Sequence, residues 1–66
     1  LVTLEIYNIL GEKVRTLINA ETYQAGYFSV VWDGRDNLGR VSPSGIYFYR
    51  IAGGDQLKTM KMILTK

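Results

Sequence analysis

Apolar and polar residues alternate with a period of two through most of this chain. In LVTLEIYN, Val2, Leu4 and Ile6 fall on one side, with Thr3, Glu5 and Tyr7 on the other. Successive side chains of an extended backbone point to opposite faces, so this alternation predicts a strand with one buried face. YFSVVW repeats the pattern, with Phe28, Val30 and Trp32 set against Tyr27, Ser29 and Val31. GIYFYRIA is the most β-prone run. Arg50 marks the open face, which Ile46 and Phe48 share, and this turns Tyr47, Tyr49 and Ile51 inward. LKTMKMILTK closes the chain, with Met60, Met62 and Leu64 inward and Thr59, Lys61, Ile63 and Thr65 outward.

KVRTLIN breaks the rhythm. Val14, Leu17 and Ile18 also fit one face of a helix running from Leu10 to Ala20. Gly11 weakens the start of such a helix, and strand patterns flank it on both sides, so a strand is the preferred reading. Val14 and Leu17 cannot both face inward in a regular strand, which predicts a bulge or an early exit near Thr16. Gly11, AETYQAG, the segment from Asp33 through Ser42-Pro43-Ser44-Gly45, and Gly53-Gly54 supply the turns between strands.

Five short strands joined by polar turns predict an all-β fold, a small antiparallel β-sandwich or partial barrel. Its expected core is Val2, Leu4, Ile6, Val14, Phe28, Val30, Trp32, Tyr47, Tyr49, Ile51, Met60, Met62 and Leu64. Five strands around so small a core leave an edge unpaired. Together with a beginning already in strand pattern at Leu1, this predicts a further strand upstream, with residues 1–66 forming one domain cut from a longer polypeptide. An open edge also invites an edge-to-edge or strand-exchanged homodimer.

Composition narrows the function. None of the 66 residues is cysteine or histidine. There is thus no thiolate ligand, no thiol nucleophile and no imidazole base, and the expectation is a protein that is not an enzyme and carries no cofactor. A net charge of +2, with no run of like sign, does not announce a nucleic-acid partner. No apolar stretch approaches the length of a membrane span.

VVWDGRDNLGR is the stretch richest in chemistry-bearing residues. Counted from Asp33, the side-chain oxygens of Asp36 and Asn37 fall at the wrong positions for an EF-hand, and Ser44 stands where its closing glutamate belongs. Asp33, Asp36 and Asn37 are a thin ligand set for any other calcium site, and two carboxylates this close in sequence do not flank a cleft as catalytic pairs do. Asx side chains with interspersed glycines are what a tight reversal requires, so a turn is the preferred reading. Lys58, Lys61 and Lys66 on or near the last strand, with Arg50 beside them, suit either docking on an anionic surface or protection of an edge. Tyr7, Tyr23, Tyr27 and Phe48 are the aromatics expected nearest the surface, where a flat platform would bind carbohydrate.

Taken in order, VTLEIYNILGEKVRTLIN, AGYFSVVWDGRDNLGR, SGIYFYRIAGGD and KMILTK resemble the C-terminal sorting domains (type A) of the type IX secretion system. The pattern is related to the immunoglobulin-like part of the flagellar hook-capping protein. The resemblance covers essentially the whole chain and implies an immunoglobulin-like sandwich. Its implied role is an address read by outer-membrane secretion machinery on a protein exported to the bacterial cell surface or beyond. The Gly-x-Tyr block matches at Gly45 and Tyr47, the basic–apolar terminal strand at Lys61, Met62, Ile63, Leu64 and Lys66, and the Trp-Asp-Gly turn at Trp32, Asp33 and Gly34. Gly45, Tyr47, Lys61 and Lys66 are the recognition residues this implies. Family members normally begin with a Pro-Asn-Pro-type segment and a first strand. Neither is in this sequence, in keeping with the strand expected before Leu1. The alternatives are an accessory immunoglobulin-like module of a secreted enzyme, for carbohydrate binding or spacing, and a hook-cap-like domain.

Overall fold

The computed structural model describes residues 1–22 and 30–65. Four antiparallel strands form one sheet: β1 Val2–Asn8, β2 Lys13–Glu21, β3 Gly45–Gly53 and β4 Gln56–Leu64, in the spatial order β2-β1-β3-β4. The described residues contain no helix, so KVRTLIN is a strand. The strand expected over Tyr27–Trp32 lies partly outside the described residues, and Val30–Trp32 belong to none of the four strands. Their alternation reports a side turned inward, not a hydrogen-bonded neighbour.

Registers explain which residues meet. β1 and β3 pair without a break from Val2↔Gly53 to Asn8↔Tyr47, and β3 and β4 from Gly45↔Leu64 to Gly53↔Gln56. One face therefore carries Val2, Leu4, Ile6, Tyr47, Tyr49, Ile51, Met60, Met62 and Leu64. β2 is irregular. Leu4 pairs with Ile18 and Glu5 with Thr16, which leaves Leu17 as an extra residue beside Thr16; Val14 is extra in the same way between Arg15 and Lys13. A third irregularity lies between Ile18 and Glu21, where Ala20 takes a positive φ of 53° and its N–H donates to Thr3 Oγ1 at 3.2 Å. Each bulge shifts the parity of the strand, so Ile18 reaches the same face as Leu4.

The core sits on that face, with Leu4, Ile6, Ile18 and Tyr47 buried. Ile6 and Ile18 are almost wholly enclosed, a burial worth about 1.5–3 kcal/mol each. Val2, Val14, Trp32, Tyr49, Ile51, Met62 and Leu64 are half-buried. Two positions expected inside are more open: Val30 is 37% exposed, outside the strands, and Met60 is 43% exposed. Met60 faces inward but stands on β4, the edge strand, with no described strand beyond it. Phe28 lies outside the described residues. Ile18 and Ser42 are buried without having been expected to be.

Strand order dictates the second layer. To pass from β2 to β3, on the far side of β1, the chain must cross a face of the sheet, and the apolar face is the one it covers. The described part of this crossing lacks strand pairing apart from the short bridge Arg35↔Val41.

Candidate recognition surface

The crossing segment is fixed by the residues that first suggested chemistry. Asp33 Oδ1 accepts from the Arg35 N–H at 3.0 Å and from Arg15 Nη1 at 3.1 Å. Arg15 Nη1 also donates to the Arg35 carbonyl at 3.0 Å. Asp36 Oδ1 accepts from the N–H groups of Leu38 and Arg40, both at 2.9 Å, while Oδ2 takes Arg40 Nε at 3.0 Å. These donors, the Arg40 N–H foremost, hold the Asp36 carboxyl below its ordinary pKa. Asn37 caps the edge of the sheet: its N–H donates to the Val14 carbonyl at 3.1 Å, and its Oδ1 accepts the Thr16 N–H at 3.0 Å. The three side chains thus serve three different sets of N–H groups. A cation held by all three would compete with those donors at Asp36 and Asn37.

Trp32 and Tyr47 join this segment to the sheet. Their rings meet edge to face, with centroids 5.1 Å apart at 71°. The indole Nε1 donates to the Arg35 carbonyl at 2.9 Å, and the Tyr47 hydroxyl donates to the Pro43 carbonyl at 2.7 Å, four residues upstream. A tyrosine hydroxyl returned to the backbone just upstream is a feature of immunoglobulin-like sandwiches. Gly45 leads into β3 with φ at 151°, a backbone geometry that L side chains rarely adopt. The Gly-x-Tyr block therefore has a structural content, a permitted entry followed by an anchored ring. Gly34 has φ of 77°, and a Cβ there would lie 3.4 Å from Leu64 Cδ1, so the crossing chain rests against the end of β4.

The opposite face is polar and aromatic. Tyr7 and Phe48 are cross-strand neighbours there. Arg50 lies over the Tyr7 ring, 4.9 Å from its centroid, and the Tyr7 hydroxyl donates to Glu5 Oε1 at 3.0 Å. Glu5 Oε2 pairs with Lys13 Nζ at 2.9 Å, which lowers the Glu5 pKa and raises that of Lys13. One face of the Tyr7 ring is thus taken by a guanidinium, and both aromatics are half-buried; Tyr23 and Tyr27 lie outside the described residues. Lys61, opposite Phe48, is exposed on this face of β4, whereas Lys58, opposite Ile51, is exposed on the apolar face; among the described residues neither joins an ion pair. Lys66 is outside the described residues.

Sequence reasoning missed Asn8. Its Oδ1 accepts from the N–H groups of Leu10 and Glu12 at 3.0 and 2.9 Å, closing the turn between β1 and β2. The signal was present in Asn8-Ile9-Leu10-Gly11, an Asx residue ahead of a glycine. Arg15 was also missed, because its partner Asp33 is distant in sequence and a bulge decides its face.

A comparison with family models matches residues 1–56 to the FlgD Ig-like domain. Searches of curated proteins and of solved structures found no match. The matched span takes in β1, β2, the crossing segment with Trp32, and β3 with Tyr47, and it ends at the first residue of β4. This chain belongs to the FlgD Ig-like domain family.

Proposed function

We propose that the domain is a non-catalytic recognition module that acts as a C-terminal sorting signal, read by type IX secretion machinery at the outer membrane. Its carrier protein is then exported to the cell surface or beyond, and β4 is the strand presented to the receptor. The observation that carries this reading is the division of charge. Residues 45–66 hold Arg50, Lys58, Lys61 and Lys66 against Asp55 alone, a net +3, while residues 1–44 hold four basic and five acidic residues, a net −1. In the first part, Lys13, Arg15 and Arg40 are paired with acids. The lysines of β4 remain for a partner. Fusing the complete domain to a reporter in a host with the pathway tests this. Export is expected, and export that persists after loss of the last strand would refute it.

The family match favours a second reading, a structural immunoglobulin-like module of the hook-cap kind. On that reading the domain stays with its carrier and the reporter is retained in the cell.

A further inference from the structure

The geometry points to a second copy of this chain as the partner of the outer edge of β4, which no strand among the described residues covers. The two edges of the sheet are treated differently. β2 is bulged, and Asn37 occupies its outward groups at Val14 and Thr16. β4 pairs with β3 through nine consecutive residues without irregularity and contains no proline. Unbroken strands with open edges are templates for pairing.

Hairpin geometry decides which groups face outward. Gly53 and Gln56 flank a two-residue turn and so form a hydrogen-bonded pair. Alternation along β4 then directs the backbone groups of Gln56, Lys58, Met60, Met62 and Leu64 toward β3, and those of Leu57, Thr59, Lys61 and Ile63 toward the open edge.

An antiparallel contact between two copies overlaps all nine residues in one register, with Met60 on the two-fold axis. That register pairs outward-facing groups only, Leu57 with Ile63 and Thr59 with Lys61 of the other copy, as hydrogen bonding requires. It sets Leu57, 66% exposed, against Ile63, 71% exposed, and Met60 against itself. Placing Lys58 or Lys61 on the axis instead would oppose like charges. Centring on Thr59 would set Leu57 against Lys61. The preferred register joins two sheets into one of eight strands through an isologous interface. A contact of this size is at the low end for stable association, so dimerisation is expected to depend on concentration. This pairing does not depend on the sorting role.

The test is cross-linking of the full-length protein carrying Met60→Cys. Across the axis, Met60 and its counterpart form a non-hydrogen-bonded pair with Cα atoms about 4.5 Å apart, within disulfide reach. Mild oxidation should give a covalent dimer from M60C and none from M62C, whose copies are four residues out of step. Sedimentation should show a concentration-dependent dimer that Thr59→Pro abolishes by removing an outward N–H, or that Leu57→Lys weakens if the proline variant fails to fold. A protein monomeric at every concentration, with no M60C cross-link, would overturn the proposal and assign the edge to another segment or a different partner. Cross-linking through M62C rather than M60C would overturn the register.

Discussion

The rings of Trp32 and Tyr47, edge to face with centroids 5.1 Å apart, tie the crossing segment to the sheet. Both residues also send a donor to a backbone carbonyl, so each ring is oriented as well as packed. Tyr47→Phe keeps the ring and removes only the bond to Pro43, which should cost about 0.5–1.5 kcal/mol. Trp32→Ala removes the ring contact itself and should cost more, about 3 kcal/mol. Chemical denaturation of the two variants, compared with the parent, checks the order.

Two backbone positions should respond in opposite directions. Gly45→Ala forces a side chain into φ of 151° although the space is open, and should destabilise by about 1–3 kcal/mol. Ala20 already carries a positive φ of 53°, so Ala20→Gly should relieve strain and stabilise by up to about 1 kcal/mol. Thermal melts of the pair would read both signs, and an Ala20→Gly variant less stable than the parent would contradict the left-handed bulge.

Asn37 should matter more than an exposed loop residue normally does. Asn37→Ala frees the Thr16 N–H and reopens the β2 edge, at about 1 kcal/mol in stability. Hydrogen exchange at Thr16 should accelerate while exchange in the β1–β3 ladder changes little, and the variant should aggregate sooner on storage.

These positions show what was legible in the sequence. Alternation identified β1, β3 and β4 and most of their inward residues, because those strands pair in unbroken register. It also located the irregularity of β2, since Val14 and Leu17 conflict with period two. It could not say which residue becomes the extra one, so Ile18 was missed. The turn reading of Asp33 to Asn37 followed from residue type, but the bonds to Arg15 and Thr16 depend on the crossing over the sheet, which local pattern does not encode. Met60 reads as inward by parity, and only the strand order reveals that it stands at an edge.

Stability should fall on acidification. The folded pKa values of Asp36 and Glu5 lie below their ordinary values of 3.8 and 4.5, through the Arg40 N–H and the Lys13 ammonium respectively. Their contribution is complete above those values and is lost as pH falls through the lower folded ones. The Lys13 pKa is raised above 10.5, so its share is present below that pH and is lost as pH rises through the folded value. The melting temperature should therefore be nearly flat from about pH 6 to 9 and decline below about pH 4. Asp36→Asn should be less stable at neutral pH and show a shallower acid limb.

The sorting role stands or falls on β4. Deleting the strand would also strip β3 of its neighbour, so charge reversal is the cleaner change. Lys58 and Lys61 are exposed and unpaired among the described residues, and K58E/K61E should leave the fold and the melting temperature nearly intact. The measurement is the fraction of a reporter, fused to the complete domain, that reaches the cell surface or medium in a host with type IX machinery. The parent domain should export the reporter, and K58E/K61E should leave most of it behind the outer membrane. Equal export by a folded K58E/K61E domain would contradict recognition through the basic strand.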